Sequence, residues 1–214
     1  MKIYEIEAGA KEKFESPIEK IVPLIQQHCR QALYGMQQAN RFLYRGVKKM
    51  PAVAFLGQSR ENRSPSASSA TFHRNINLAF ATAGFVANRS NSIFATSDKG
   101  EAAGYALGSS NKPYMIFPID GFKFTWSPSI QDLFVNEYGL FGNGPEEYLK
   151  RMKFYYEDDA DPELINEFLW KSEYTDKDFG AAVSSRNEIM IHGQYYAVST
   201  EFEDWPEFRQ LIGS

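Results

Sequence analysis

The order of helical and strand-like patterns constrains the fold of this chain more than any other feature. One long apolar helix pattern comes near the start, whereas short runs of aromatic and β-branched residues cluster later. Regular alternation of strands and helices, which parallel α/β folds require, is rare along the chain, so the pattern predicts an α+β fold. With 214 residues, 43% of them hydrophobic, we expect residues 1–214 to form a single domain, two small domains being the alternative.

Residues 1–40 predict a helical lead-in. Ser16-Pro17-Ile18-Glu19 matches a capping box with proline at the first helical position, and apolar residues then recur at helical spacing as far as Leu33. The pattern predicts a helix from this box toward Ala39, kinked or restarted at Pro23, which has no backbone N–H. Cys29 lies on the apolar side of the helix, and we expect it in the core.

The rest of the chain predicts short elements joined by loops. Predicted strands cover Arg41–Val47, Ser92–Thr96 and Tyr114–Ile119, followed near the end by Glu188–Ile191 and Tyr195–Val198, which form a hairpin or a bent strand pair. Predicted helices cover Phe72–Val86, a segment capped by Ser97 or Asp98, and a segment starting at Pro145. Predicted loops and turns cover Gly57–Ser69, an aromatic segment Phe122–Trp126, Gly139–Pro145 and Phe179–Ser185.

Composition argues against several functional classes. The formal net charge of −4 disfavours bulk electrostatic capture of nucleic acid or of an anionic membrane. A single cysteine, Cys29, cannot form an internal disulfide, and no Cys/His cluster predicts a metal site. The charged N-terminus lacks the apolar run of a signal peptide, and no segment is apolar enough to span a bilayer. We therefore expect a soluble, cytoplasmic protein that does not bind membranes.

Three polar positions adjoin predicted strands and carry a family resemblance. They occur in Leu43-Tyr44-Arg45-Gly46, in Phe94-Ala95-Thr96-Ser97, and in Glu188–Ile191 with Gly193 and Tyr196 behind it. In this order they resemble the three motifs of the arginine-serine-glutamate class of mono-ADP-ribosyltransferases, especially phage-encoded and bacterial toxin members. Taken singly, each position has an ordinary interpretation: a surface arginine, a helix cap and a strand-edge glutamate.

The resemblance implies a split β-sandwich around a cleft that binds NAD as co-substrate. In that family pattern, Arg45 would bind the NAD phosphates, and the backbone of Gly46 would meet the nicotinamide carboxamide. Thr96 and Ser97 would align the catalytic strand and the ribose, while Glu188 would hold the ribose 2′-hydroxyl and stabilise the sugar cation as nicotinamide leaves. Such a carboxylate is the group that cleavage of a glycosidic bond requires.

The resemblance also implies a segment that closes over nicotinamide. The aromatic segment Phe122–Trp126 matches it, with Phe124 and Trp126 as candidate rings. The loop before Glu188 would recognise the acceptor, with Phe179 and Arg186 as candidate contacts. Arg60, Arg63 and Arg74 either line an acceptor surface or belong to a solvated segment.

Two departures from the family pattern bear on activity and acceptor. The first hydroxyl of the family's Ser-Thr-Ser triplet is replaced by Ala95, so water or a neighbour such as Ser92 would have to supply the lost hydrogen bond. Arg186 stands where family members that modify arginine or asparagine carry Glu or Gln. A cation there would repel a guanidinium and favours an anionic or polar acceptor.

The sequence therefore predicts an enzyme that transfers ADP-ribose from NAD to a macromolecule, which is a protein, RNA or DNA. Two alternatives stay open: an NAD glycohydrolase, and a binding or virion-associated protein of the same fold without turnover. An inhibitor or antitoxin is a further candidate partner.

Overall fold

Antiparallel pairing joins all the strands in the part of the chain that the structure describes. This computed structural model describes residues 12–13, 20–47, 52–63, 70–106, 112–133, 145–156 and 161–213. Within these ranges, eight strands form two sheets, and eight α-helices accompany them. The predicted α+β class is confirmed.

The strands form one larger and one smaller sheet. Their bounds are β1 Glu12–Lys13, β2 Tyr44–Arg45, β3 Ala54–Gln58, β4 Ile93–Ala95, β5 Tyr114–Pro118, β6 Lys123–Trp126, β7 Ile189–His192 and β8 Gln194–Ser199. The larger sheet has the order β1-β3-β8-β5-β2, and the smaller has the order β4-β7-β6. The helices are α1 Ile21–His28, α2 Arg30–Ala39, α3 Ala70–Thr82, α4 Lys99–Tyr105, α5 Pro145–Tyr156, α6 Pro162–Ser172, α7 Phe179–Ser185 and α8 Pro206–Leu211.

The larger sheet lies inside the main hydrophobic core. All five residues of β5 are buried, and Ile116 of this strand pairs with Ala197 of β8. Successive side chains of a strand point to opposite faces, so a strand that is buried throughout must be covered on both sides. The apolar run that predicted this strand therefore reflects a two-sided environment.

The smaller sheet separates the main core from a second one. Ile189 and Ile191 of β7 belong to the main core, whereas Met190 between them belongs to the second. The second core lies against helices α3, α5 and α6, whose aromatic rings fill it; the rings of Phe154 and Phe168, for example, stack with centroids 5.2 Å apart. Both faces of β7 are consequently buried.

The two sheets meet where β2 approaches the end of β4. Tyr44 and Thr96 form an isolated antiparallel bridge, in which Tyr44 N donates to Thr96 O at 2.7 Å and Thr96 N donates to Tyr44 O at 3.0 Å. We call this place the sheet junction. The chain also passes directly from β7 in the smaller sheet to β8 in the larger at Gly193, whose φ of 134° favours glycine. The predicted hairpin here is wrong, and the bent-strand alternative is confirmed.

The N-terminal helical region contains two helices where the sequence predicted one. The break falls at Cys29, with φ −120° and ψ 33°, and not at Pro23. Pro23 lies in the first turn of α1, where backbone N–H groups have no partner within the helix, so the missing donor is tolerated there. Cys29 is fully buried as expected, with its Sγ 3.4 Å from the carbonyl oxygen of Phe117. The predicted cap at Ser16 lies outside the described residues.

Several other predicted elements are confirmed with shorter bounds. The strand predicted over Arg41–Val47 contains only β2, and the helix predicted over Phe72–Val86 corresponds to α3, which ends at Thr82. The predicted cap of α4 is Asp98, whose carboxylate accepts from Gly100 N and Glu101 N. Of the predicted turn ending at Pro145, residues 139–144 lie outside the described ranges. None of the described helices combines the length and apolar character needed to cross a bilayer.

Three predicted loops contain regular structure instead. Gly57 and Gln58 belong to β3, because a glycine at 57 makes room for the ring of Tyr195, which would lie 2.4 Å from an added Cβ. The aromatic segment Phe122–Trp126 contains β6, which pairs with β7. The segment Phe179–Ser185 is helix α7, because Asp178 caps its first turn by accepting from Ala181 N.

Candidate active site

Backbone pairing at the sheet junction brings the three predicted motifs together. Tyr44, which precedes the motif arginine, pairs with Thr96. Ala95 pairs with Ile189, which directly follows Glu188. The ends of three neighbouring strands therefore carry the three motifs, although the motifs lie far apart in the sequence.

Arg45 ends β2 with a half-buried side chain. Its Nη1 donates to the carbonyl oxygen of Phe94 at 3.2 Å, which ties β2 to β4. The guanidinium thus braces the junction, and its predicted contact with NAD phosphates stays a prediction. Tyr44 beside it donates from its hydroxyl to Glu203 at 2.6 Å, and Lys99 contacts the other carboxylate oxygen of Glu203 at 2.5 Å.

The next residue, Gly46, packs against the end of α4. A Cβ at this position would lie 2.3 Å from the carbonyl oxygen of Ala102 and 2.7 Å from the backbone nitrogen of Ala106. Glycine is therefore required here for space, which is a reason that the sequence did not indicate. Its predicted contact with nicotinamide is a separate matter and stays a prediction.

Thr96 and Ser97 use their hydroxyls to hold the segment before Glu188. Thr96 Oγ1 donates to the carbonyl oxygen of Arg186 at 2.6 Å, and Ser97 Oγ donates to that of Val183 at 2.5 Å. Both side chains are buried. These hydroxyls position the backbone that leads to Glu188, while their predicted alignment of the ribose remains a prediction.

Replacing Thr96 by valine should destabilise this arrangement. Valine has nearly the same shape, but Arg186 O would lose its donor, and the Asp98 N–H, now 3.0 Å from Thr96 Oγ1, would lose its acceptor. We expect the free energy of unfolding to fall by about 1–3 kcal/mol, measured by urea denaturation. Thr96→Ser is the matched control, because it keeps the hydroxyl and should cost only about 1 kcal/mol for the lost methyl group. Equal stability of the valine variant and the wild type would contradict the role of the hydroxyl.

Ala95 occupies a site where a hydroxyl would be poorly placed. Its side chain is 4% exposed and belongs to the main core. A serine there would need a hydrogen-bond partner inside an apolar environment. Ser92, suggested as a substitute donor, donates instead to Asn91 Oδ1 at 3.0 Å within its own turn. The departure from the family triplet is thus compatible with the packing around β4.

Glu188 begins the segment that enters β7. Its backbone N–H donates to Gln131 O at 2.7 Å, and its side chain is 20% exposed. Burial raises the pKa of the Glu188 carboxyl to about 7; the nearby charge of Arg89 lowers the pKa, and that of Asp132 raises it. The side chain therefore gains or loses its proton near neutral pH, which is unusual for a glutamate.

The surroundings of Glu188 include residues that sequence reasoning missed. Arg89 Nη1 lies 3.9 Å from Glu188 Oε1. Asp132, 8% exposed, accepts a hydrogen bond from the hydroxyl of Tyr105. Arg89 comes from a short polar turn and Asp132 from a loop, positions that in sequence are typical of solvated residues. The pairing of β4 with β7 brings Arg89 close to Glu188, and the hydrogen bond from Glu188 N to Gln131 O brings Asp132 close to it.

The ring of Phe94 carries two guanidinium groups. Arg63 Cζ lies 4.5 Å and Arg89 Cζ 5.3 Å from its centroid, which are cation–π distances. Arg63 lies in a segment without regular structure, as expected, but its side chain is half-buried and not fully solvated. Arg89 Nε and Nη1 are buried and make no hydrogen bond with the described residues.

Phe124, Trp126 and Phe179 do not lie where the sequence predicted. Phe124 and Trp126 belong to a core strand and are 7% and 6% exposed, and Phe179 begins a helix at 7%. Phe124 and Phe179 pack edge to face with centroids 4.9 Å apart, and Trp126 Nε1 donates to Lys177 O at 2.8 Å. The predictions of a closing loop at residues 122–126 and of a recognition loop at 179–185 are wrong, because these rings fill the main core. The predicted contacts of these rings with nicotinamide or an acceptor stay predictions.

Arg186 remains the exposed member of the predicted acceptor contacts. It has a left-handed backbone with φ 67°, and 54% of its side chain is exposed. Its Nη1 lies 3.9 Å from Asp98 Oδ2. An exposed cation two residues before Glu188 is compatible with the predicted acceptor role, which stays a prediction.

Other chemistry finds little support among the described residues. His192 Nδ1 lies 3.0 Å from the carbonyl oxygen of Asn91 and 3.2 Å from Ser59 Oγ. A carbonyl accepts only, so Nδ1 must carry the proton and cannot activate Ser59 as a nucleophile. Within the described ranges, no three His, Cys, Asp or Glu side chains form a group that could hold a metal ion.

No family model matches the chain, and neither a curated protein nor a solved structure matches it. The chemistry of the site must therefore be inferred from its own side chains and from the motif resemblance.

Proposed function

We propose that this chain is a mono-ADP-ribosyltransferase that cleaves NAD at the nicotinamide–ribose bond. ADP-ribose would be transferred to a macromolecular acceptor, a protein or a nucleic acid. The observation that supports the proposal best is the convergence of Arg45, Thr96 and Glu188 at the sheet junction through the Tyr44–Thr96 bridge and the Ala95–Ile189 pair.

The chemistry of NAD cleavage fits the groups at this junction. Departure of nicotinamide leaves positive charge on the ribose, and a carboxylate beside the anomeric carbon stabilises that charge. Glu188 is the carboxylate of the proposed site, and its limited exposure strengthens its interaction with a cation by excluding water. Arg45 supplies a permanent positive charge at the end of the adjoining strand.

The two antiparallel sheets are compatible with the finer fold in this proposal. An ADP-ribosyltransferase-like split β-sandwich needs two sheets that meet beside the NAD cleft. The larger and smaller sheets of this chain meet at the residues that carry the motifs, which supports such an assignment.

Incubation with NAD labelled in its adenylate half tests the proposal. Purified protein and a bacterial lysate would be incubated together, and free nicotinamide and macromolecule-bound label measured. Bound label together with free nicotinamide is the expected result, and digestion with protease or nuclease would identify the acceptor class. Free nicotinamide without bound label would favour an NAD glycohydrolase. The absence of both products would contradict NAD cleavage.

A further inference from the structure

We propose that Arg89 and Arg63 form an anion-binding subsite beside Glu188 that takes the pyrophosphate of the dinucleotide. This inference rests on the proposed function and assigns to Arg89 and Arg63 part of the task that the motif resemblance gives to Arg45. None of the three family motifs contains Arg89 or Arg63.

Arg89 is the first reason for the proposal. Its side chain is 14% exposed, and its Nε and Nη1 have no hydrogen-bond partner among the described residues. An arginine keeps its charge at every working pH, and a buried charge without hydrogen bonds is costly. The carboxylate of Glu188, 3.9 Å away, attracts the guanidinium but is too distant for a hydrogen bond. The guanidinium therefore retains unused donors next to the proposed catalytic group.

Arg63 is the second reason. Its guanidinium and that of Arg89 lie over the same ring, that of Phe94. The charges of both residues also lower the pKa of the Glu188 carboxyl, so both cations act electrostatically on the place where an anion beside Glu188 would bind. Burial lowers the pKa of His73, and the positive charges of Arg89 and Arg63 lower it further. The two arginines therefore create a positive potential near His73. Arg45, by contrast, already donates from Nη1 to the backbone of β4.

The position of Arg89 relative to Glu188 indicates which anion the subsite takes. In NAD the nicotinamide ribose is joined directly to one phosphate of the pyrophosphate, so a carboxylate at that ribose places the phosphate-binding group close by. Arg89 meets this requirement at 3.9 Å from Glu188. The planar fork of an arginine gives paired bonds to phosphate oxygens, and two guanidiniums match the two phosphates.

Calorimetric titration with inorganic pyrophosphate and with ADP-ribose tests the subsite, since neither probe contains nicotinamide. We expect Arg89→Met to weaken the binding of both at least about tenfold, because a charge-assisted hydrogen bond is lost. Arg63→Met should weaken both in the same direction. Arg30→Met, at an exposed residue of α2, removes the same charge elsewhere and should leave both affinities unchanged. Thermal unfolding of each variant would verify that it is folded.

The outcomes separate the subsite from the proposed function. Unchanged affinities in both Arg89→Met and Arg63→Met would overturn the subsite, even if the wild type cleaves NAD. The subsite would also be overturned if Arg30→Met weakened pyrophosphate binding as much as the other two variants, because binding would then depend only on net charge. A third outcome is that anion binding depends on Arg89 although the protein does not cleave NAD. The anion subsite would then stand, but its assignment to the dinucleotide and the proposed function would both be overturned.

Discussion

Glu188→Gln should lower the rate of NAD cleavage by at least about a hundredfold and make the folded protein more stable above neutral pH. The loss of rate is expected because glutamine carries no negative charge to stabilise the ribose cation. For the same reason, cleavage by the wild type should fall as the pH drops through about 7, the pKa of the Glu188 carboxyl.

The gain in stability follows from the direction of the pKa shift. The unfolded chain loses the Glu188 proton near pH 4.5, the ordinary value, whereas the folded protein holds it until about pH 7. Between these values the folded state binds more protons, so the free energy of unfolding falls as the pH rises. Glutamine cannot ionise and avoids this loss, so we expect the variant to be more stable by about 1–3 kcal/mol at pH 8 and equally stable near pH 4.

Urea denaturation at pH 4, 6 and 8 would measure the stability, and release of nicotinamide would measure the rate. Glu207→Gln is the matched control, because Glu207 is exposed in the first turn of α8 and should change neither quantity appreciably. A Glu188→Gln variant that cleaves NAD at the wild-type rate would refute the catalytic assignment. A stability difference that does not vary with pH would refute the raised pKa.

Gly46→Ala should lower the free energy of unfolding by about 2–3 kcal/mol, corresponding to a melting temperature roughly 4–12 °C lower. The added Cβ would lie 2.3 Å from Ala102 O, 2.7 Å from Ala106 N and 2.8 Å from Tyr105 C. These are backbone atoms at the end of α4, so no side-chain rotation relieves the overlap. Either β2 or α4 must shift, and β2 is the strand that carries Arg45.

Gly104→Ala is a control within α4, the helix that Gly46 contacts, and should change the stability in the opposite direction. A Cβ at Gly104 would meet no atom within 4 Å, and alanine favours the helix over glycine. We expect this variant to be more stable by about 0.5–1 kcal/mol. Thermal denaturation of the two variants beside the wild type would measure both effects. If Gly46→Ala melts at or above the wild-type temperature, the close contact between β2 and α4 does not exist.

Periodicity and capping residues predicted much of the local structure. The apolar run at 114–119 predicted β5, and Asp98 before a helix-forming segment predicted the cap of α4. Such features depend on neighbouring residues, which a sequence displays directly. The predictions over residues 122–126 and 179–185 failed because their aromatic and small side chains also suit a loop, and only packing against distant residues makes them a strand and a helix.

The site was predictable only in part, for a similar reason. The ordered motifs indicated Arg45, Thr96 and Glu188, whose strands are neighbours in the structure. Arg89 belongs to none of the motifs, and its position over Phe94 and near Glu188 depends on how β4 pairs with β7. A charged residue in a short polar turn looks the same in sequence whether it faces solvent or a binding site.

The burial of β7 on both faces has a consequence for how this protein can diverge. Ile189, Met190 and Ile191 are each fully buried, so polar substitutions there would destabilise the fold and cause misfolding. Glu188, the residue before them, is held by its backbone, and its carboxylate makes the fold less stable at neutral pH. In a lineage released from selection for activity, this position should therefore be among the first to change, leaving an intact protein free to acquire another role.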